Sequence, residues 1–424
     1  MTGSVRKRGS TWSYYFDLGT IDGTRKKKEK GGFRTKKEAE AALAAALAEY
    51  NNSGMVFEPS NITVSEYLDY WFDAYCKMNL KYNTQLGYIQ IIENHLKPVF
   101  GQYRLKALNT AAVQKYTNDL KLQGFAKSSV TGIISTLSGA LNYAVEPLHY
   151  IAANPCDHIQ YPKYEKKPQE TRYIIAPEDF RRILERFPAG NPFHVPLLIG
   201  YYTGLRISEA FALTWDDIDL NSRTITVNKI TVKRNFGTDV RKVLDKKGKK
   251  EQKSAWYFGT PKTSTSNRTV QFGATLYNAL REAKRQKNLN RLKYGEYYTE
   301  HFLKQETDEK GDPMYRIIPV SRSVPCALPA VDMVCVKENG EYISTDSFKY
   351  CARVVHHELQ LAFNYHSLRH THATILIENG ANVKDVQERL GHTNIQTTLN
   401  TYVHNTDILR KETVDIFEKS VGIS

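Results

Sequence analysis

At 424 residues the chain is too long for one ordinary domain, and two or three are expected. Its 41% hydrophobic content supplies real cores, while a mean hydropathy of −0.51 and the lack of any long apolar run exclude a bilayer-spanning helix. The 59 Lys and Arg against 45 Asp and Glu leave a formal charge of +14, which favours a polyanionic partner, either nucleic acid or an anionic membrane surface.

Met1 to Arg8 is polar and basic and lacks the apolar stretch of a secretory leader. Residues 1–55 predict a small module. Trp12, Tyr14 and Phe16 alternate with Ser13, Tyr15 and Asp17, the period of a half-buried strand. Asp22-Gly23 signals a hairpin, and Arg25 to Lys30 is the returning strand. Thr35 and Glu38 form a capping box for a helix running to about Tyr50. The expected product is a three-stranded sheet on one helix. Arg6, Lys7, Arg8, Arg25, Lys26, Lys27, Lys28 and Lys30 crowd its strands. Such a face either contacts DNA or keeps an edge strand soluble; the density of charge favours DNA.

Asn51 to Asn61 reads as a linker. A helical section over 62–160 follows. Thr63 and Glu66 cap a helix whose stripe is Val64, Tyr67, Leu68 and Trp71. Further helices are expected over Thr84–Leu96, Thr110–Leu122 and Ser128–Val145, a four-helix bundle ending at Asn154-Pro155. Tyr161 to Thr171 is a basic, proline-containing linker.

The third section covers 173–410. Pro177 opens a helix, and Val195 to Tyr202 is an apolar helix leading to Thr203-Gly204-Leu205-Arg206-Ile207-Ser208-Glu209. Arg223 to Asn228 is β-branched and reads as a strand. A strand pair is expected to bracket Lys262, with Lys262 at a hairpin tip and Thr269 to Phe272 closing it. Arg241 to Lys253, including Lys246 and Lys247, is an exposed basic hairpin or loop that lies along DNA or is simply solvated. Lys284 to Ser344 has weak periodicity and carries no assigned element. Helices resume over Thr345–Phe363, Leu368–Glu378, Val383–Leu390 and Thr397–Thr401. The tail, 411–424, places Val414, Phe417 and Val421 on one helical face, which either folds back on its own chain or docks on a neighbouring protomer.

A phosphodiester is a stable anion; cleaving it needs charge neutralisation, a nucleophile and a proton for the leaving oxygen. Arg206 and Arg369 suit the first task because guanidinium is planar, permanently charged and bidentate. Glu209, three residues after Arg206, either orients that arginine or forms a surface pair, and orientation is favoured. His366 and His392 can donate to phosphate or handle a proton. His366, His370 and His372 invite a metal reading, yet HExxH carboxylates are missing, so no metal is expected. His370 and His372 read as core histidines. The cysteines Cys76, Cys156, Cys326, Cys335 and Cys351 are odd in number and widely spaced, which fits reduced thiols in a cytosolic protein. Taken alone, Tyr402 reads as a packing residue and Lys262 as a solvated lysine beside Lys242 and Lys253.

The wording Thr203-Gly204-Leu205-Arg206-Ile207-Ser208-Glu209-Ala210, Leu213-Thr214-Trp215-Asp216-Asp217-Ile218-Asp219, His366-Ser367-Leu368-Arg369-His370-Thr371, Leu390-Gly391-His392 and Tyr402 resembles the tyrosine recombinase (phage integrase) family over roughly 1–410. The resemblance implies six catalytic residues: Arg206, Lys262, His366, Arg369, His392 and the nucleophile Tyr402. It implies site-specific recombination through a 3′-phosphotyrosine and a Holliday junction, with no cofactor and no ATP. It also implies an arm-type DNA-binding domain like those of temperate-phage and conjugative-transposon integrases, a core-binding bundle, and a tail that docks on a neighbouring protomer. The partners so implied are double-stranded attachment sites, three further protomers in a tetramer, and accessory directionality and host DNA-bending proteins, with no membrane. The expected fold is multidomain α+β: a small sheet plus helix, a helical bundle, and a mainly α catalytic domain with a small sheet. Rival readings are a type IB topoisomerase, a non-catalytic DNA-binding regulator and a basic nucleoid protein. The arm-like module opposes the first, and the retained Arg206, Arg369 and Tyr402 oppose the others.

Overall fold

The computed structural model describes residues 3–21, 24–53, 62–165, 173–235, 254–261, 266–308 and 310–396. The chain divides into two compact units, Met1–Glu165 and Lys166–Ser424.

In the first unit, β1 (Gly3–Arg8), β2 (Thr11–Ile21) and β3 (Thr24–Phe33) form an antiparallel sheet in that order. Helix α1 (Lys36–Ser53) covers one face. Its start is fixed by local chemistry: the Thr35 hydroxyl accepts from the Glu38 amide at 3.2 Å, and the Glu38 carboxylate accepts from the Arg34 amide at 3.0 Å. Tyr14 and Phe16 from β2 pack on Leu43 and Ala46 of α1, with Val5 and Phe33 alongside. Asp22 and Gly23, the expected turn, lie outside the described residues.

The helical part of this unit begins with α2 (Val64–Trp71), which runs through a π turn, Phe72–Cys76, into α3 (Lys77–Asn79). The Thr63–Glu66 box is formed reciprocally, at 3.2 and 2.8 Å. Helix α4 (Tyr82–Ile91) passes through a second π turn, Ile92–Leu96, into α5 (Lys97–Phe100); α6 (Thr110–Leu122) and α7 (Lys127–Val145) complete the set. The Val64, Tyr67, Leu68 and Trp71 stripe is buried as its spacing requires. The Tyr67 hydroxyl donates to the Ala140 carbonyl on α7. Asn154 closes the bundle by donating to Asn142 Oδ1 at 2.7 Å and Ser138 Oγ at 3.0 Å.

The second unit opens with α8 (Pro177–Arg186), α9 (His194–Thr203) and the short α10 (Ile207–Ala210). Strands β4 (Ile218–Asp219), β5 (Thr224–Val227), β6 (Ile230–Asn235), β7 (Ser254–Gly259) and β8 (Arg268–Gln271) precede α11 (Ala274–Tyr294). Then come β9 (Thr299–Thr307), β10 (Pro313–Ser321), β11 (Ala330–Val331), α12 (Thr345–Leu359), α13 (Tyr365–Glu378) and α14 (Val383–Leu390). Helix α9 is the axis of the core, with Leu197, Leu198 and Ile199 buried beside Phe211, Phe348 and Leu368. Helix α13 packs closely on α9 because position 200 is glycine. A Cβ there would stand 2.7 Å from Leu368 Cδ1 and 2.9 Å from Tyr365 Cζ.

The strands form two sheets. One is β4-β5-β8; the other is five-stranded, in the order β11-β9-β10-β7-β6. This corrects the expectation for Lys262. The strands on either side of it, β7 and β8, do not pair with each other: β7 pairs with β6 and β10, and β8 pairs with β5. The hairpin is instead β6–β7, in register from Ile230↔Gly259 to Asn235↔Ser254, around the basic segment 236–253. That segment, with Lys246 and Lys247, lies outside the described residues. The stretch left without elements builds most of the larger sheet, β9, β10 and β11. Its strands gave no alternating signal because little of them is buried, chiefly His301, Phe302 and Ile317.

Candidate active site

The site is assembled from the end of α9, the start of α10, strand β8, helix α13 and the turn after α14. Gly204 ends α9 in the left-handed region, at φ +67°. A Cβ at this point would meet His372 at 2.8 Å and Leu390 at 2.9 Å, so glycine lets the α9 turn sit directly on α13 and α14. The next turn presents Arg206. The Leu213 to Asp219 wording serves the fold: Asp217 accepts from the Thr214 amide and hydroxyl, both at 2.8 Å, and forms an ion pair with Lys229.

Arg369, on α13, is the most enclosed of the expected residues that the structure describes, at 1% exposure. It donates to the Gly204 carbonyl at 2.8 Å and the Leu390 carbonyl at 2.7 Å. It also lies 2.8 Å from His392 Nε2. Guanidinium has no acceptor, so His392 Nε2 accepts and the imidazole is neutral with its proton on Nδ1. Burial and the positive charges of Arg369, Arg206, Arg268 and His366 push the His392 pKa down to about 4, in agreement with a neutral ring.

The Arg206 side chain is 34% exposed. It donates to Glu209 Oε1 at 2.8 Å and to the Gly391 carbonyl at 3.0 Å. Glu209 is 2% exposed, and Oε2 also accepts from the Arg206 amide at 3.0 Å. Burial alone would raise its pKa, but bonding and charge from Arg268, with Arg206, hold it below the usual carboxylate range. The structure thus brings together Arg206, Glu209, Arg369 and His392, drawn from positions nearly two hundred residues apart in the chain. His366 is exposed on the first turn of α13, its ring edge-on to His370 with centroids 4.5 Å apart.

Lys262, Tyr402, Val414, Phe417 and Val421 lie outside the described residues. In the first unit the basic residues divide between the two faces of the sheet. Arg6 pairs with Ser13 in register and faces away from α1, beside Tyr15 and Glu29. Arg6 and Arg8 form ion pairs with Glu29, at 2.7 and 3.4 Å. Lys27 pairs with Asp17, on that same open side. Lys7 pairs with Trp12 and Lys28 with Phe16, which puts both on the helix-facing side. Burial and Lys30 lower the Lys28 pKa. The side chains of Arg25 and Lys26 are outside the described set.

Three residues that sequence reasoning did not single out or gave no role also belong to the site. Arg268 on β8 joins Glu209 at 2.9 Å. Arg389 donates from Nε to His372 Nε2 at 2.9 Å and from Nη2 to the Tyr202 carbonyl at 3.2 Å. His372 Nδ1 is 2.9 Å from the Tyr201 carbonyl. Burial and Arg389 depress the His372 pKa to about 4. A sequence with 59 basic residues offers no signal for which arginines are buried. Among the described residues no cluster of three His, Cys, Asp or Glu side chains could hold a metal ion, and no helix is long and apolar enough to cross a membrane.

Comparison with known proteins matches this architecture. The sequence profile of the phage integrase family matches residues 178–408, an arm DNA-binding domain matches 4–50, and a phage integrase N-terminal SAM-like domain matches 63–121. A tyrosine recombinase XerC-like protein of Caldanaerobacter subterraneus is 27% identical, covering 88% of this chain and 86% of its own length. The ICEBs1 integrase of Bacillus subtilis is 25% identical, covering 81% and 79%. Among solved structures, the Tn1549 transposon integrase in complex with a circular intermediate DNA superposes with a TM-score of 0.60 at 21% identity, over 84% of this chain and 99% of that one. The profile match spans more than half the sequence, and the chain belongs to the phage integrase family, the tyrosine recombinases that cut and rejoin DNA at specific sites.

Proposed function

We propose that the chain recombines the ends of a mobile element, with Tyr402 attacking the phosphodiester to give a 3′-phosphotyrosine and a free 5′-hydroxyl. The observation that carries this reading is the convergence of Arg206, Arg369 and His392 on one turn, Leu390-Gly391-His392. Two guanidinium groups neutralise the non-bridging oxygens as charge develops in the transition state. A neutral His392 lends its Nδ1–H to the same phosphate, and His366 handles a proton at its edge. Lys262 protonates the leaving 5′ oxygen. The phosphotyrosine conserves the bond energy, so no ATP or cofactor is consumed, and a 5′-hydroxyl from the partner strand restores the backbone.

Four protomers hold two sites, and exchange passes through a Holliday junction. A lambda integrase tetramer bound to a Holliday junction superposes on 95% of this chain with a TM-score of 0.51, which supports the arrangement. Residues 1–55 serve as the arm-type domain, 62–160 as the core-binding domain, 173–410 as the catalytic domain, and 411–424 as the tail that meets a neighbour through Val414, Phe417 and Val421. Arg6, Lys7, Arg8, Arg25, Lys26, Lys27 and Lys28 bind arm DNA, and Lys246 and Lys247 bind near the crossover. Accessory directionality and DNA-bending proteins join the complex on DNA in the bacterial cytoplasm.

The test is single-turnover cleavage of a nicked suicide substrate carrying the element's end, in chelator. Wild type is expected to form a covalent protein–DNA band, and Arg206→Ala and Arg369→Ala to bind the DNA without forming it. Cleavage that needs added magnesium, or that survives both substitutions, contradicts the mechanism.

A further inference from the structure

Arg268 has three attachments that together describe a strut. Its guanidinium meets both oxygens of Glu209, Nη2 to Oε2 at 2.9 Å and Nη1 to Oε1 at 3.3 Å. Its Nε donates to the Arg389 carbonyl at 2.7 Å, at the base of the turn that carries His392. Nη1 donates to the Ser266 carbonyl at 3.0 Å, on the chain leading from Lys262. The side chain is 7% exposed, which is unusual for an arginine unless it is fully bonded. Gly391 leaves room for it: a Cβ there would stand 3.0 Å from Arg268 Nη1.

Glu209 is shared unequally. Arg206 takes one side-chain bond from it, through Nη1, and turns Nη2 to the Gly391 carbonyl. Arg268 takes both oxygens. With Arg268 in place, Glu209 is largely neutralised and cannot draw Arg206 into a two-pronged pair. Arg206 then keeps a net positive charge and stays partly exposed.

We propose that Arg268 is a positioning residue for the cleavage reaction: by occupying Glu209 and anchoring the turn before His392, it sets the orientation of Arg206 and His392 toward the scissile phosphate. This rests on the functional reading above. All three Arg268 nitrogens are committed to protein acceptors on Glu209, Ser266 and Arg389, so its loss acts on the chemical step and leaves binding nearly unchanged. A misplacement on the order of 1 Å is enough to cost about a hundredfold in rate.

The experiment compares wild type, Arg268→Gln, Arg268→Lys and the double variant Glu209→Gln/Arg268→Gln, all full length. Cleavage rate at saturating suicide substrate, DNA affinity and thermal unfolding are measured together. Arg268→Gln is expected to cleave about ten- to a hundredfold more slowly with affinity within about threefold of wild type. Arg268→Lys is expected to recover part of the rate. The double variant removes the unpaired buried carboxylate, so it regains stability but stays slow. A double variant that regains both stability and rate shows that Arg268 only balances charge, and overturns the proposal. So does wild-type cleavage by a folded Arg268→Gln protein. Wild type that forms no covalent band overturns the functional reading and this proposal with it; a wild-type band beside an equally fast Arg268→Gln band overturns this proposal alone.

Discussion

Acid should loosen the site through His372. The ring is held between the Tyr201 carbonyl and the Arg389 guanidinium, each at 2.9 Å. Arg389 donates, so His372 Nε2 must keep its lone pair, and Nδ1 carries the proton toward Tyr201. Protonating Nε2 would set two donors against each other in a buried site also near Arg369. The pKa accordingly falls from the ordinary 6.5 to about 4. The sign follows from proton binding. Between these values the unfolded chain binds a proton that the folded chain refuses, so stability is complete above 6.5 and declines as pH falls through the window toward 4. At about pH 5 the difference amounts to roughly 1.5 units, and at about 1.4 kcal/mol per unit the loss is about 2 kcal/mol. Urea unfolding at about pH 7.5 and about pH 5 measures it. His301 and His392 shift in the same direction and contribute equally to wild type and variant. His372→Gln, whose amide can still donate to Tyr201 and accept from Arg389, should therefore lose about 2 kcal/mol less than wild type between the two conditions. An identical acid loss in both proteins refutes the reasoning.

Other outcomes follow from particular contacts. Gly200→Ala places a Cβ 2.7 Å from Leu368, so the second unit should lose about 1–3 kcal/mol in thermal or urea unfolding while the first unit is unaffected. Gly391→Ala combines a left-handed φ of +66° with a 3.0 Å approach to Arg268; about 1–2 kcal/mol of backbone strain and a slower cleavage step should appear together. Glu29→Gln frees Arg6 and Arg8 for phosphate, so binding to arm-site DNA should tighten and its logarithmic salt dependence should steepen by about one unit per arginine engaged.

What the sequence made legible was local. The Thr63–Glu66 box, Pro177 at the first turn of α8 and the Asn382 side chain that accepts from the Lys384 amide at the start of α14 all act within three residues, and the helices begin where those residues place them. The buried stripe of α2 follows from the same periodicity. Strand pairing is not local. Nothing within 254–271 states that β7 joins β6 and β10 while β8 joins β5, so the expected hairpin around Lys262 failed. Strands β9 and β10 leave most of both faces partly exposed, and the two fully buried residues of β9, His301 and Phe302, are adjacent, so the alternation that normally reveals a strand is missing. Within the site, Arg206, Arg369 and His392 were recognisable from their motif wording. Arg268 was not, because its role depends on a carboxylate fifty-nine residues away and on the space left by Gly391. The basic residues of the first module were visible as a group, but only strand register separates Arg6 and Lys27 from Lys7 and Lys28.

The central claim is that a tyrosine, and specifically Tyr402, carries the broken strand. The most direct measurement traps the covalent complex on a suicide substrate in chelator, digests the protein, and maps the nucleotide-bearing peptide by mass spectrometry. The expected result is one modified peptide, with the 3′-phosphate of the cut strand on Tyr402 and no adduct from Tyr402→Phe. An adduct on another residue, a 5′-phosphate linkage, or an undiminished adduct from Tyr402→Phe would contradict the account.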